Sequence, residues 1–331
     1  MELQQLPFAG LTATLKAAGE ATRLRILALL AEAELTVSDL TEILHQSQPR
    51  LSRHLRLLAE AGLVERFREG SWAFFRLGER GGSADLAHTL IGRLKADDPI
   101  VARDRERLAG VRAGRAAAAQ NYFRRHAAQW DRIRQLHVAD AAVEDAIRAA
   151  LTDKPIRALL DLGTGTGRML ELFAPDIERG LGLDLSLDML ALARARLDRS
   201  GLKHCSVRHG DIYDLALPRD SFDVVIIHQV LHFLDDSARA IAEAARVLRP
   251  GGRLLVVDFA PHDLEFLREE HAHRRLGFAA EMVTQWLQAA GLDVLQQQTL
   301  PPGPDGKIAV SLWLARDPRI LLAAPASLEV A

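Results

Sequence analysis

Asp161, Gly163, Gly165 and Gly167 stand in IRALLDLGTGTG, an apolar run that turns into a glycine-rich loop ahead of a helix-forming segment. Glycines let the backbone approach a ligand closely, and the first turn of the following helix presents unpaired N–H groups. Twenty-three residues after Asp161, LGLDLS supplies Asp184, whose carboxylate can accept both hydrogen bonds of a ribose diol. A dinucleotide fold asks for G-x-G-x-x-G, but position 168 is arginine and the spacing here is G-x-G-x-G behind an acid. An acid beside the loop suits a ligand with a cationic amino-acid end and repels pyrophosphate. That combination points to S-adenosylmethionine or its product S-adenosylhomocysteine. In RHGDIYD, Asp211 can accept from an adenine amino group and the Ile212 N–H can donate to the ring. SFDVVII then ends in His228 and Gln229, with His232 just beyond.

Methyl transfer from a sulfonium expels a neutral group, so its main demand is in-line placement of the acceptor. A base matters only for a hydroxyl, an amine or a carbon acid. His228 and His232 are the candidates, with a cofactor-edge or packing role as the alternative for His228. LREEHAHRRLGF (267–278) adds Glu270, His271, His273 and Arg274. It reads as a solvated, salt-bridged helix, as a helix at the acceptor site, or as a metal site. Residues two apart point to different helix faces, so HAH makes a poor metal pair, and no metal is expected. QNYFRRHAAQWDRIRQL (120–136) reads as a helix with Tyr122, Phe123 and Trp130 near one side. These aromatics either cover the site or pack onto the fold.

Holding such residues takes strands that end where they stand. From about residue 156 the pattern repeats strand, loop and helix, which argues for a parallel sheet covered by helices. Ligands of open α/β sheets sit beyond the carboxyl ends of the strands, where Asp161, Asp184, Asp211 and His228 all fall.

The front of the chain has another rhythm. Residues 16–31 read as one amphipathic helix. In TVSDLTEIL, Thr36 and Asp39 form a capping pair. Ser47 can cap the next helix, QPRLSRHLRLLAEA, with Pro49 in its first turn and Gly62 at its end. Leu51, Leu55 and Leu58 make an inward stripe, while Arg50, Ser52, Arg53, His54 and Arg56 crowd the other faces. LVERFR and WAFFRL alternate about Glu69-Gly70-Ser71, a hairpin signal. Helix, helix, turn, arginine-rich helix and hairpin describe a winged helix-turn-helix, which lays its second helix in the major groove. Arginine can bridge guanine O6 and N7, and wing residues Arg66 and Arg68 suit phosphates. The alternative is a protein-contact domain with a solvated basic face.

The net charge of −2 hides a division. Residues 101–134 carry nine basic side chains against three acidic ones, and residues 135–331 carry 21 against 28. The arginine run at 103–115 suits a dimer helix, phosphate contacts or a plain interdomain helix. Length, 48% apolar and 26% charged residues exclude a mainly disordered or fibrous chain. No apolar run approaches the ~20 residues of a membrane helix. A start of MELQQLPFAG without a secretion pattern and a single cysteine, Cys205, lead to the expectation of a cytoplasmic protein without membrane partners.

Residues 15–77 resemble the ArsR/SmtB family of winged-helix repressors, carried by EATRLRILALL (20–30), ELTVSDLTEIL (34–44), SQPRLSRHLRLLAEAGLVERFREG (47–70) and WAFFRL (72–77). The resemblance implies a homodimer on palindromic operator DNA, with Gln48, Arg50, Ser52, Arg53 and His54 facing the duplex. Arsenic-sensing members carry two cysteines in the segment matching ELTVSDL; here Thr36 and Ser38 stand there, and hydroxyls do not replace thiolates for a soft ion. Residues 121–315 resemble class I S-adenosylmethionine-dependent methyltransferases of the ubiquinone/menaquinone-biosynthesis-like branch. The carriers are DLGTGTG (161–167), GLDLSLDML (182–190), GDIYDLALPRDSFDVV (210–225) and RVLRPGG (246–252). This implies a doubly wound, seven-stranded Rossmann-like sheet. Its cofactor residues would be Asp161, Gly163, Thr164, Gly165, Asp184, Leu185, Met189, Asp211, Ile212 and His228. Tyr122, Trp130, His271 and Arg274 would form the acceptor side and lid. Relatives that methylate arsenite use several cysteines, which argues against that acceptor here.

The expected layout is a winged helix (1–95), a helical linker (96–120), a methyltransferase domain (121–317) and a tail (318–331). The expected function is a transcriptional regulator fused to a small-molecule methyltransferase; the alternative is a non-catalytic adenosyl-ligand sensor that controls DNA binding. DNA methylation fits least, because HQVLHF lacks the Pro-Pro-Tyr/Phe type of motif and Cys205 is misplaced for attack on cytosine.

Overall fold

The computed structural model describes residues 4–69, 72–78, 81–95, 97–126, 140–152, 154–302 and 308–320. The chain divides into two compact units, the first built mainly on Met1–Ala118 and the second on Ala119–His262 and Phe266–Ala331.

The first unit runs α1 (Phe8–Ala18), α2 (Ala21–Leu30), β1 (Leu35–Thr36), α3 (Val37–Leu44), α4 (Gln48–Glu60), β2 (Val64–Glu69), β3 (Trp72–Leu77), α5 (Gly82–Gly92) and most of α6 (Pro99–His126). The single helix expected over 16–31 is broken. The Gly19 N–H closes α1 on the Leu15 carbonyl at 2.8 Å, and the Glu20 carboxylate restarts the chain by accepting the Arg23 N–H at 3.0 Å. The Thr36/Asp39 capping box forms as expected, with bonds of 3.2 and 2.8 Å. Ser47 holds the N-cap position of α4 without a side-chain cap bond, so Pro49 is the start signal that acts. Gly62 ends the helix at φ +69°, where a Cβ would be strained. The β2–β3 hairpin pairs Glu69 with Trp72, and β1 adds a third strand. Leu51, Leu55 and Leu58 on α4 close one core with Ile26, Leu27, Leu40 and Ile43, and α6 joins it through Leu108 and Val111.

Helix α6 corrects the expected linker. Its Asp104 accepts a two-pronged contact from Arg25 at 2.6 and 2.7 Å. Arg107 donates to the Ile43 carbonyl at 3.1 Å and Arg112 to the Glu32 carbonyl at 2.8 Å. Arg105 pairs with Glu32, and Arg115 with Asp39. Four arginines of the 103–115 run are therefore spent inside this unit, which extends to Ala118 rather than ending at 95.

The second unit opens with α7 (Asp140–Leu151) and continues β4 (Ile156–Leu162), α8 (Arg168–Phe173), β5 (Ile177–Asp184), α9 (Leu187–Arg199), β6 (Cys205–His209), β7 (Phe222–His228), α10 (Ser237–Val247), β8 (Leu248–Phe259), α11 (Phe266–His271), α12 (Ala280–Ala289), β9 (Asp293–Leu300) and β10 (Val310–Arg316). Seven strands form one sheet in the order β6-β5-β4-β7-β8-β10-β9. All pairs are parallel except those of β10, which runs antiparallel to β8 and β9. The central strands are buried on both faces, which explains their unbroken apolar runs: Leu159, Leu160, Val224–Ile227 and Leu254–Val257 are 0% exposed. Chain order reverses between β4 and β7, and that divergence opens a crevice at their carboxyl ends.

The helix expected over 267–278 stops at His271, and Ala272 turns left-handed at φ +57°. The N–H groups of Arg274 and Arg275 then donate to the His232 carbonyl at 2.8 and 3.0 Å, a tertiary bond that outcompetes another helical turn. At the tail, Arg319 is tied to Asp317 and Asp220 at 2.6 and 2.8 Å. Among the described residues, no helix is long and apolar enough to cross a membrane.

Candidate cofactor and acceptor site at the carboxyl edge of the sheet

The loop after β4 is folded back onto β5. The Gly163 and Thr164 N–H groups both donate to the Leu183 carbonyl, at 2.8 and 2.9 Å. Gly163, Gly165 and Gly167 have φ of +69°, +51° and +81°, and a Cβ on Gly163 would lie 2.4 Å from Val230 Cγ2. Glycine is thus required there by both backbone and space. Asp161 is 2% exposed and accepts the Thr164 hydroxyl at 2.6 Å.

Asp184 closes β5 beside this loop. One carboxylate oxygen accepts the Gly165 N–H and the other the Ser186 N–H, each at 2.8 Å. The Leu185 N–H also acts on this carboxylate, whose roughly four lone-pair sites still leave room for a ligand hydroxyl. Burial pushes the Asp184 carboxyl above its usual range, while the Ser186 and Gly165 N–H groups pull the other way. Ser186 also caps α9 by accepting the Met189 N–H at 3.3 Å. Met189 is buried and Leu185 exposed. Asp211 is exposed and holds the Tyr213 N–H at 2.9 Å, and Ile212 packs half-buried on the core.

Across the crevice, His228 ends β7 half-buried. His232 follows in a single 3-10 turn and is 2% exposed. Its Nδ1 lies 2.7 Å from Asp258 Oδ1, and Asp258, near the end of β8, is 0% exposed. That carboxylate also accepts the Phe259 N–H at 2.7 Å. The His232 ring sits among Phe233, Phe259 and His273, with centroids 4.0, 4.6 and 4.3 Å away. Such a pair fixes the imidazole with Nδ1–H toward the acid and leaves Nε2 as the basic atom.

Two residues expected at the acceptor side meet directly: Tyr122 Oη is 2.6 Å from His271 Nδ1. Tyr122 also lies tilted against His126 at 4.3 Å, and Phe123 meets Phe233 edge-on at 4.8 Å. Burial pushes the Tyr122 hydroxyl up to about 12 and the His271 imidazole below its usual value. Arg274 is tied to Asp235 at 3.0 Å, so its charge is spent anchoring the segment after α11. Trp130 lies outside the described residues. Asp258 escaped the sequence reading, although an acid closing the apolar run LLVVDF is the same signal that marked Asp184.

On α4, Gln48, Arg50 and Arg53 are exposed, as are Arg66 and Arg68 on β2. Ser52 and His54 are half-buried, and His54 Nδ1 lies 3.7 Å from Glu20. His54 is thereby turned toward its own domain, and burial lowers its pKa.

Comparison with known proteins separates the same two parts. Residues 20–66 match the bacterial regulatory protein, arsR family, and residues 160–256 match the methyltransferase domain family. A protein of Mycolicibacterium smegmatis described as a probable S-adenosylmethionine-dependent methyltransferase is 36% identical over 193 residues, covering 56% of this chain and 65% of that protein. Phosphatidylethanolamine N-methyltransferase of Cereibacter sphaeroides is 30% identical over 152 residues, 44% of this chain and 74% of that one. One chain of the complex between the Haloferax volcanii Trm112 methyltransferase activator and a methyltransferase superimposes with a TM-score of 0.50 at 25% identity, over 61% of this chain and 98% of that chain. The chain spans 36–65% of the length of three of the curated relatives it matches, the Mycolicibacterium protein among them.

Proposed function

We propose methyl transfer to a small molecule, coupled to operator binding, on the premise that this chain belongs to the S-adenosylmethionine-dependent methyltransferases and carries an arsR-family regulatory domain ahead of that fold. The observation that carries the proposal is the Asp184 carboxylate, held by two backbone N–H groups at 2.8 Å beside a glycine loop. Asp184 holds the ribose diol. Asp161, Gly163, Thr164 and Gly165 line the amino-acid end; Asp211, Ile212, Leu185 and Met189 line the adenine; His228 borders the sulfur. Two acids on this edge suit a cationic ligand and repel phosphate.

When bound, S-adenosylmethionine supplies an electrophilic methyl group on a cationic sulfur. His232 removes the acceptor's proton at Nε2, and Asp258, 2.7 Å from Nδ1, orients the ring and stabilises its charged form. Tyr122 and His271 cover the acceptor. A buried, oriented base supports catalysis over pure sensing, since a sensor has no use for one. Gln48, Arg50 and Arg53 read base edges, Arg66 and Arg68 hold phosphates, and the protein acts on DNA as a homodimer.

Calorimetry with S-adenosylhomocysteine tests the core of this reading. Wild-type protein binds it and Asp184→Ala binds it about 100-fold or more weakly; absence of heat from the wild type at millimolar ligand defeats the proposal.

A further inference from the structure

Gln229 is a buried polar residue to which the chemistry above gives no role. It follows β7 with a left-handed backbone, φ +55°, which is uncommon for a residue with a side chain and recurs at ligand sites. Its N–H is pinned to the Val257 carbonyl at 2.7 Å. The residue is only 7% exposed, and its buried Nε2 meets no acceptor among the described residues. Unmatched buried donors are costly and rare, so this one calls for a partner from outside the chain.

Its surroundings indicate which partner. The next residue, Val230, lies against Gly163, where an added Cβ would come within 2.4 Å of Cγ2. Gln229 is thus one residue from contact with the loop that faces the ligand's amino-acid end. Four of that loop's N–H donors are already used: Gly163 and Thr164 on the Leu183 carbonyl, Gly167 on the Thr164 carbonyl, and Gly165 on Asp184. The guanidiniums beside it are engaged within the fold: Arg168 by Glu144 at 2.7 and 2.6 Å and by Glu171 at 2.9 Å, and Arg196 by the Thr166 hydroxyl at 3.1 Å and Glu171 at 4.0 Å. Asp161 gives that end an acid that suits an ammonium and repels a carboxylate.

We propose that the Gln229 Nε2–H donates to the carboxylate of the ligand's amino-acid end. The assignment rests on the adenosyl reading of the site and deepens it: a neutral buried amide, not an arginine or the glycine loop, recognises that carboxylate.

Two probes separate the possibilities by calorimetry on the full chain. S-adenosylhomocysteine carries the amino-acid end, and 5′-methylthioadenosine lacks it. Gln229→Leu weakens S-adenosylhomocysteine roughly 10- to 100-fold, the worth of a hydrogen bond to a charged group, and leaves methylthioadenosine affinity unchanged. Gln229→Glu, which sets one carboxylate against another, acts in the same direction and more strongly. Unchanged methylthioadenosine binding also reports that the pocket of either variant is folded. Equal loss for both probes, or loss for neither, overturns the assignment and makes Gln229 a structural or water-bonded residue. Wild-type protein that binds neither probe overturns the adenosyl reading itself, a separable result.

Discussion

Arg50 and Arg53 stand exposed on α4, whereas Asp161, Gln229 and His232 on the sheet edge are 2%, 7% and 2% exposed. The half-buried basic side chains of the first unit serve its own fold: Arg25 is fixed on Asp104 and Arg112 on a backbone carbonyl, while α4 keeps its long cations outside. At the sheet edge the polar groups are fixed before any ligand arrives, as with Asp184 between two N–H donors and His232 against Asp258. The contrast follows from what each surface is proposed to meet. A duplex is long and charged, and flexible arginines can adjust to it through solvent. A small ligand offers few contacts, so the groups that orient it must be held in place beforehand.

The contrast can be broken first at the dyad. His232→Ala lowers the methyl-transfer kcat about 10²- to 10⁴-fold with S-adenosylhomocysteine affinity unchanged, because it removes a base and not a cofactor contact. Asp258→Asn gives a smaller loss of the same kind. A cofactor affinity that falls in step with kcat would make His232 a packing residue. Asp184→Ala removes two charge-assisted bonds and weakens S-adenosylhomocysteine by about 100-fold or more in calorimetry.

On the exposed surface the effects are smaller and depend on salt. Arg50→Ala or Arg53→Ala weakens binding to the DNA upstream of the gene about 10- to 100-fold and relaxes sequence preference. Arg66→Ala instead lowers the slope of log affinity against log salt by about 1, as expected for one phosphate contact. Gel shifts at several salt concentrations separate these outcomes; loss of sequence preference in Arg66→Ala would reverse the assignment of helix and wing. Thr36→Ala breaks the capping box and costs about 1 kcal/mol in denaturant unfolding.

The smallest effect concerns the Tyr122–His271 contact. Burial holds the His271 pKa below its unfolded value, Glu270 raises it in part, and His126 adds to the lowering. Its folded form binds a proton less readily than its unfolded form. Its contribution is therefore intact above the unfolded value of ~6.5 and is lost as pH falls through the folded one. Tyr122, pushed up to about 12, stays protonated over this range and donates to a neutral ring. Thermal unfolding should show Tm falling on acidification below pH ~6.5, with a shallower fall in Tyr122→Phe; identical slopes would remove the contact from the acid response.

Much of the sheet edge was legible because strand, glycine loop and acid follow one another within about 25 residues, a span over which local pattern dictates geometry. Asp161, Gly163 and Asp184 were found that way. The Thr36/Asp39 cap was equally local. The break at Gly19 was missed because apolar spacing continues across it, and the local mark of the break is the Glu20 side chain that caps the start of α2. The 267–278 helix failed because two of its N–H groups bond to the carbonyl of His232, which no window around residue 275 contains.

Short-range order thus came from the chain itself: glycine where φ must be positive, an acid at the end of an apolar strand, a leucine stripe under an arginine face. Packing alone decided which distant groups share a site. Asp258 reaches His232 across 26 residues, Arg25 reaches Asp104 across 79, and Tyr122 reaches His271 across 149. Such pairs form when sheet order and helix docking bring them together, and the same burial that joins them leaves the Gln229 Nε2 without an acceptor among the described residues.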